Sequence, residues 1–170
     1  GFRPERSCKD ALREVIRLLG EGNLQVLEVD FRKYFDSIQR EPLVKQVGKR
    51  ISDGKMLKLI EEFLEQGVIE EGRVWEPEEG TPQGSVISPL LANIYLHPLD
   101  QSLTTAGYKP IRFADDLVVV CRSREEAEGA LKVLTDWAAE AGLTLHPQKT
   151  RIVDRKEHRA YFEFLGYRFV

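Results

Sequence analysis

Histidine and cysteine are scarce in this chain of 170 residues, with three of the first and two of the second. His97, His146 and His158 stand in unrelated contexts and read as surface residues rather than ligands, and Cys8 and Cys121 lack metal-ligand spacing. A zinc or iron–sulfur centre therefore has no support in the sequence. The two cysteines suggest no disulfide framework, so a reducing, cytoplasmic setting is expected. No apolar run approaches the roughly 20 residues of a membrane-spanning helix, and no membrane partner is expected. An excess of positive charge is also missing: the net charge is -3 and the pI near 5.7. Composition alone thus does not advertise a nucleic-acid partner. There is no internal repeat, no low-complexity stretch and no composition shift that would mark a linker. The opening Gly1-Phe2-Arg3-Pro4 has neither methionine nor a signal-peptide pattern, and reads as a cut from a longer chain.

What remains is an ordinary globular mixture, 31% charged and 42% hydrophobic, long enough for one domain with a sizeable core. The charge is uneven. Acidic residues crowd Glu61 to Glu79, while basic ones gather at Arg3, Arg6, Lys9 and Arg13 and again from Lys149 to Arg159. Two solvated faces would explain this, but local fields matter more to a polyanion than the net sum.

Periodicity gives the elements. Ser7 to Leu19 reads as an amphipathic helix capped by Ser7 and ended by Gly20 and Gly22. Leu24 to Val29 reads as a short strand running into Asp30. Helices are expected over Glu41 to Ile51 and Lys55 to Glu65, and a hairpin over Gly67 to Pro77 turning at Gly72. A further helix runs from Ser88 to Leu103, with Ser88 as N-cap and Pro89 at its first position. Ser123 to Ala141 is the clearest helix, with Ser123 and Glu126 as a capping box. Lys149 to Val153 reads as a strand, and the aromatic, alternating Arg159 to Val170 as a closing hairpin strand. This order suits an α+β domain, an antiparallel sheet with helices packed on one face.

Within it lies Arg112-Phe113-Ala114-Asp115-Asp116-Leu117, flanked by apolar runs and read as a hairpin with Asp-Asp at its tip and no glycine there. Asp is a common turn residue, so a solvated turn is one reading. The other is a metal site, since two adjacent carboxylates repel and a divalent cation removes that cost. Asp30 bears on the choice: it stands at the end of a strand that can neighbour the hairpin, where a strand fixes a side chain and a loop exposes it, although it could also cap the next turn. Three carboxylates brought together offer oxygen-only ligands suited to Mg²⁺. Two such ions clamp the attacking and leaving oxygens of a displacement at phosphorus, so the expected chemistry is phosphoryl transfer.

The chain resembles, over nearly its whole length, the palm and part of the fingers of a reverse transcriptase of the group II intron type. Gly1 to Ser7 resembles the fingers motif with a Gly-Phe-Arg-Pro run, and Asp30 to Asp36 polymerase motif A. Gly80-Thr81-Pro82-Gln83-Gly84-Ser85 through Asn93 resembles motif B and is the most family-specific stretch. Phe113-Ala114-Asp115-Asp116 is similar to motif C, Gly142 to Lys149 to motif D, and Phe164-Leu165-Gly166-Tyr167 to the motif that grips the primer. Phe113 departs from the tyrosine that usually opens motif C, which removes a hydroxyl but no metal ligand.

The resemblance implies a polymerase palm with a ferredoxin-like (RRM-like) core over residues 23–170, preceded by a partial fingers segment over 1–22. It implies that the chain begins inside the fingers and stops where the thumb should start. Asp30, Asp115 and Asp116, with the backbone carbonyl of Phe31, would bind two Mg²⁺ ions, Mn²⁺ being a substitute. Lys149 would protonate the leaving pyrophosphate, or is a surface lysine. Phe35 would exclude a ribose 2′-OH, or is a core aromatic. Arg3, Gln83 and Gly84 would contact the incoming nucleotide, and Phe113, Leu165 and Gly166 the primer and template. The implied activity is RNA-directed DNA polymerisation, with an RNA template, a DNA primer and dNTPs as partners and intron RNA as a further one. A non-catalytic, splicing-assisting RNA-binding module is the alternative. An RNA-directed RNA polymerase is disfavoured by Phe35.

Overall fold

The computed structural model describes residues 3–65, 68–70, 73–75 and 87–170. Helix α1 (Cys8–Gly20) opens on a reciprocal capping box, in which Ser7 accepts from the Asp10 N–H and Asp10 accepts from the Ser7 N–H at 2.8 Å. There follow strand β1 (Gln25–Val29), a single 3-10 turn (Phe35–Ser37), helices α2 (Arg40–Gly48) and α3 (Gly54–Glu65), and the expected short hairpin, β2 (Val68–Glu70) with β3 (Arg73–Trp75). Helix α4 (Ser88–Thr105) leads into β4 (Pro110–Phe113) and β5 (Asp116–Cys121), and α5 (Arg124–Glu140) into β6 (Arg151–Asp154). A hairpin of β7 (Phe162–Phe164) and β8 (Tyr167–Phe169) comes last.

Four strands form one antiparallel sheet in the order β4-β5-β1-β6. With helices between β1 and β4 and between β5 and β6, this is the βαββαβ arrangement of a ferredoxin-like core. Side chains alternate across it. Leu27, Val29, Leu117, Val119 and Cys121 face helices α2 to α5. Val26, Val118, Val120 and Val153 face the other way, where Val15 and Leu18 of α1 and Phe162 and Phe164 of β7 cover them. Both faces of β5 are therefore buried, and Leu117 to Cys121 is apolar throughout rather than alternating. Each Phe so buried contributes about 1.5–3 kcal/mol.

Local boundaries differ from the sequence reading in ways that have physical causes. The N-cap of α4 is Ile87, so Ser88 is its first helical residue and is itself buried. In α5 Ser123 accepts from the Glu126 N–H, but the Glu126 carboxylate reaches back to the Arg122 N–H at 2.7 Å, one residue beyond the cap. Strand β6 begins at Arg151, because Lys149 and Thr150 donate their N–H groups to the His146 carbonyl and complete a turn.

Candidate active site

The register of β1 against β5 pairs Val29 with Leu117, and one step further Asp30 stands opposite Asp116. The hairpin tip is not Asp-Asp. Phe113 and Asp116 pair as the last rung of β4 and β5, which leaves Ala114-Asp115 as the two-residue turn. Ala114 takes the left-handed conformation (φ 56°) that glycine would take without strain. The shift by one residue separates the two carboxylates. Asp115 rides on the turn, whereas Asp116 belongs to the strand.

A cleft of about 590 Å³ gathers Asp30, Phe31, Asp115, Asp116 and Lys149, and Leu165 and Gly166 form part of its wall. Asp30 is fixed through its backbone: its carbonyl accepts from the His146 N–H at 2.8 Å and from the Thr150 hydroxyl at 3.2 Å. The Phe31–Leu145 bridge continues this seam, so the segment after α5 buttresses the end of β1. Lys149 lies 3.2 Å from the Asp30 carboxylate (Nζ to Oδ2), the lysine side chain largely in solvent and that of Asp30 about a third exposed. Asp116 Oδ2 accepts from the Leu165 N–H at 2.7 Å. Leu165 (φ 53°) and Gly166 (φ 75°) both adopt the left-handed conformation of a tight primed turn, and this aims that N–H into the cleft. Burial pushes the Asp116 carboxyl up from its ordinary value. The Leu165 hydrogen bond opposes this, and Asp115, Glu28 and Asp30 add to it through their charge.

The donor set is carboxylate oxygen throughout, the chemistry of a hard divalent cation that completes its shell with water and phosphate. Among the described residues no three His, Cys, Asp or Glu side chains stand close enough together to hold a metal ion as they are placed. Burial is the first cause of the raised Asp116 carboxyl and the neighbouring carboxylates add to it, and that added part is what a cation at this place would relieve.

The remaining predicted residues lie elsewhere. Arg3 and Phe113 line a second cavity that shares no residue with the cleft. Phe35 is half-buried, packs on the helical core and meets the Tyr34 ring edge-on at 5.3 Å. Gln83 and Gly84 fall outside the described residues.

Sequence reasoning missed one residue of the cleft and one behind its Asp115 turn. Glu28, on the central strand, accepts from Arg151 Nε at 2.8 Å and from the Glu163 N–H at 3.1 Å, and so ties the last hairpin to the sheet behind the carboxylates. Its signal was a single charged residue inside an otherwise apolar central strand. The second is Arg112, whose side chain is only 6% exposed and pairs with Asp100 of α4.

A model of the reverse transcriptase (RNA-dependent DNA polymerase) family matches residues 1–169, and the chain belongs to that family. Its kinship is with the group II intron type. It is 45% identical over 101 residues to the group II intron-encoded protein LtrA of Lactococcus lactis, a match covering 59% of this chain and 17% of LtrA. It is 33% identical to protein YkfC of Escherichia coli K12 over 100% of this chain and 54% of that protein. The chain thus spans a minor part of LtrA and about half of YkfC. Among solved structures, telomerase from Candida albicans with a fragment of telomeric RNA superposes with a TM-score of 0.73 at 14% identity, over 96% of this chain and 32% of the other. Apo telomerase from Candida tropicalis gives 0.72 at 14% identity, over 96% and 38%. These two show the shared α+β polymerase palm.

Proposed function

We propose that this chain is the catalytic palm of an RNA-directed DNA polymerase, joining a dNTP to a primer 3′-OH on an RNA template. The observation that carries the proposal is the meeting of Asp30, Asp115, Asp116 and Lys149 in one cleft at the end of β1, in a chain of this family. The telomerase relative bound to RNA supports a nucleic-acid partner.

Asp30, Asp115 and Asp116, with the Phe31 carbonyl, would hold two divalent ions, Mg²⁺ or Mn²⁺ in its place. Such ions, when bound, supply charge neutralisation on the phosphates and hold the attacking and leaving oxygens. The protein's own part is positioning and electrostatics. The His146 N–H and the Thr150 hydroxyl hold the Asp30 backbone still. Asp116, fixed by the Leu165 N–H, keeps its carboxylate turned into the cleft. Lys149, exposed at the cleft mouth, carries a proton that the departing pyrophosphate can take. Leu165 and Gly166, which share the cleft wall with the carboxylates, would seat the primer end. Gln83 and Gly84 would line the nucleotide pocket, and Phe35 would reject the 2′-OH of a ribonucleotide. The family resemblance would give Arg3 a triphosphate contact and Phe113 a primer contact, although both line the second cavity rather than the cleft. On the same reading residues 1–22 are a partial fingers segment, 23–170 the palm, and the setting a reducing cytoplasm.

Primer extension on an RNA template with Mg²⁺, in the full-length protein, tests the proposal. Extension that Asp115→Ala abolishes is the expected result, and full activity in that variant would sink it. RNA affinity without extension under any divalent ion would favour the splicing-assisting RNA-binding module.

A further inference from the structure

The turn that carries Asp115 is strained and has an unusual tether. Ala114 sits in a conformation that costs a non-glycine residue free energy and persists only where its surroundings hold it. Its carbonyl accepts from Arg112 Nη1 at 2.6 Å. The same nitrogen donates to Asn93 Oδ1 at 2.8 Å, while Nε and Nη2 grip the two oxygens of Asp100 at 2.8 and 2.6 Å. Four of the five guanidinium N–H groups are thereby assigned, two in the forked geometry that suits a carboxylate. Asn93 and Asp100 both belong to α4, which packs in the helical core through Leu91, Tyr95, Leu96 and Leu99.

We propose that Arg112 is a positioning residue: it clamps the strained Ala114-Asp115 turn to helix α4 and so fixes where Asp115 presents its carboxylate. The proposal rests on the polymerase reading of the cleft. A salt bridge kept only for stability would need the Asp100 contacts and nothing more. The bond to Ala114 goes beyond that need, since it ends one residue from the carboxylate. Lysine could keep the charge. From a single nitrogen, however, it cannot span both Asp100 oxygens and still reach Asn93 and Ala114.

Two variants of the full-length protein test the clamp: Arg112→Lys, and Arg112→Met combined with Asp100→Leu. The double variant removes both partners of a buried pair, an exchange that often leaves stability unharmed. Each is measured for melting temperature, for Mn²⁺ affinity by electron paramagnetic resonance without substrate, and for the rate of primer extension against Mg²⁺ concentration. Both variants should stay folded, bind Mn²⁺ on the order of ten-fold more weakly and need correspondingly more Mg²⁺, with the KM for dNTP little changed. Wild-type Mn²⁺ affinity and rate in Arg112→Lys would overturn the proposal. So would their recovery in the double variant, because Arg112 would then only balance the Asp100 charge. If the double variant does not fold, Arg112→Lys decides alone. A wild-type protein that binds Mn²⁺ but never extends a primer defeats the polymerase reading and leaves the clamp to the Mn²⁺ affinities. One that binds no Mn²⁺ overturns both.

Discussion

The N–H of Leu165 donates to Oδ2 of Asp116 across 2.7 Å, joining the turn of the last hairpin to the first residue of β5. The bond offsets only part of what burial and neighbouring carboxylates impose on Asp116, whose carboxyl remains raised. Folding thus favours its protonated form. The stability this gives is complete below the ordinary carboxylate range and is lost as pH rises through the raised value. In metal-free solution, Asp116→Asn should keep an acceptor for Leu165 and melt a few degrees higher than wild type at neutral pH. The gap should close as pH falls. Thermal denaturation at several pH values checks this, and the same variant should lose primer extension.

Lys149 and Asp30 form an exposed pair, with side chains 63% and 36% accessible. Such pairs contribute at most about 1 kcal/mol. Lys149→Met should therefore leave the melting temperature nearly unchanged while the single-turnover extension rate falls on the order of a hundred-fold or more, in the range a lost proton donor gives. Equal rates would leave Lys149 as a surface residue.

Phe35 packs on the core as well as standing where the resemblance places a gate. Phe35→Ala should cost about 1–3 kcal/mol of stability. It should also raise the ratio of ribonucleotide to deoxynucleotide incorporation. A stability loss with unchanged sugar discrimination would make Phe35 a packing residue only.

The two thiols should differ sharply. Cys121 is fully buried in β5, where burial pushes its thiol up to about 12, while Cys8 is partly accessible at the start of α1. In this chain, native at mildly alkaline pH, a thiol reagent such as DTNB should modify Cys8 readily and Cys121 only after denaturant is added.

Much of this was readable from residue order. Strand periodicity placed β1 and β5, and a carboxylate at the end of each pointed to one cleft because antiparallel neighbours bring such ends together. The sheet order then followed the ferredoxin-like pattern that the resemblance implied. The turn was misplaced by one residue, since nothing local shows that Ala114 accepts a left-handed conformation; that depends on Arg112 and, through it, on α4. Glu28 and Arg112 went unassigned for the same reason. Each is the one charged residue of its strand, and its partner lies 123 residues away at Arg151 in the first case and on a helix in the second. Periodicity reports which face a side chain takes, not what waits for it there.

The last hairpin also imposes an order of events during synthesis. Phe162 and Phe164 cover Val26, Val118, Val120 and Val153, and Leu165 supplies the Asp116 hydrogen bond. Until residues 162–169 leave the ribosome, α1 alone covers that face of the sheet and Asp116 lacks the Leu165 N–H. The nascent chain can thus build its helical core early, while the part of the cleft wall formed by Leu165 and Gly166 is added only after all four strands of the sheet have been made.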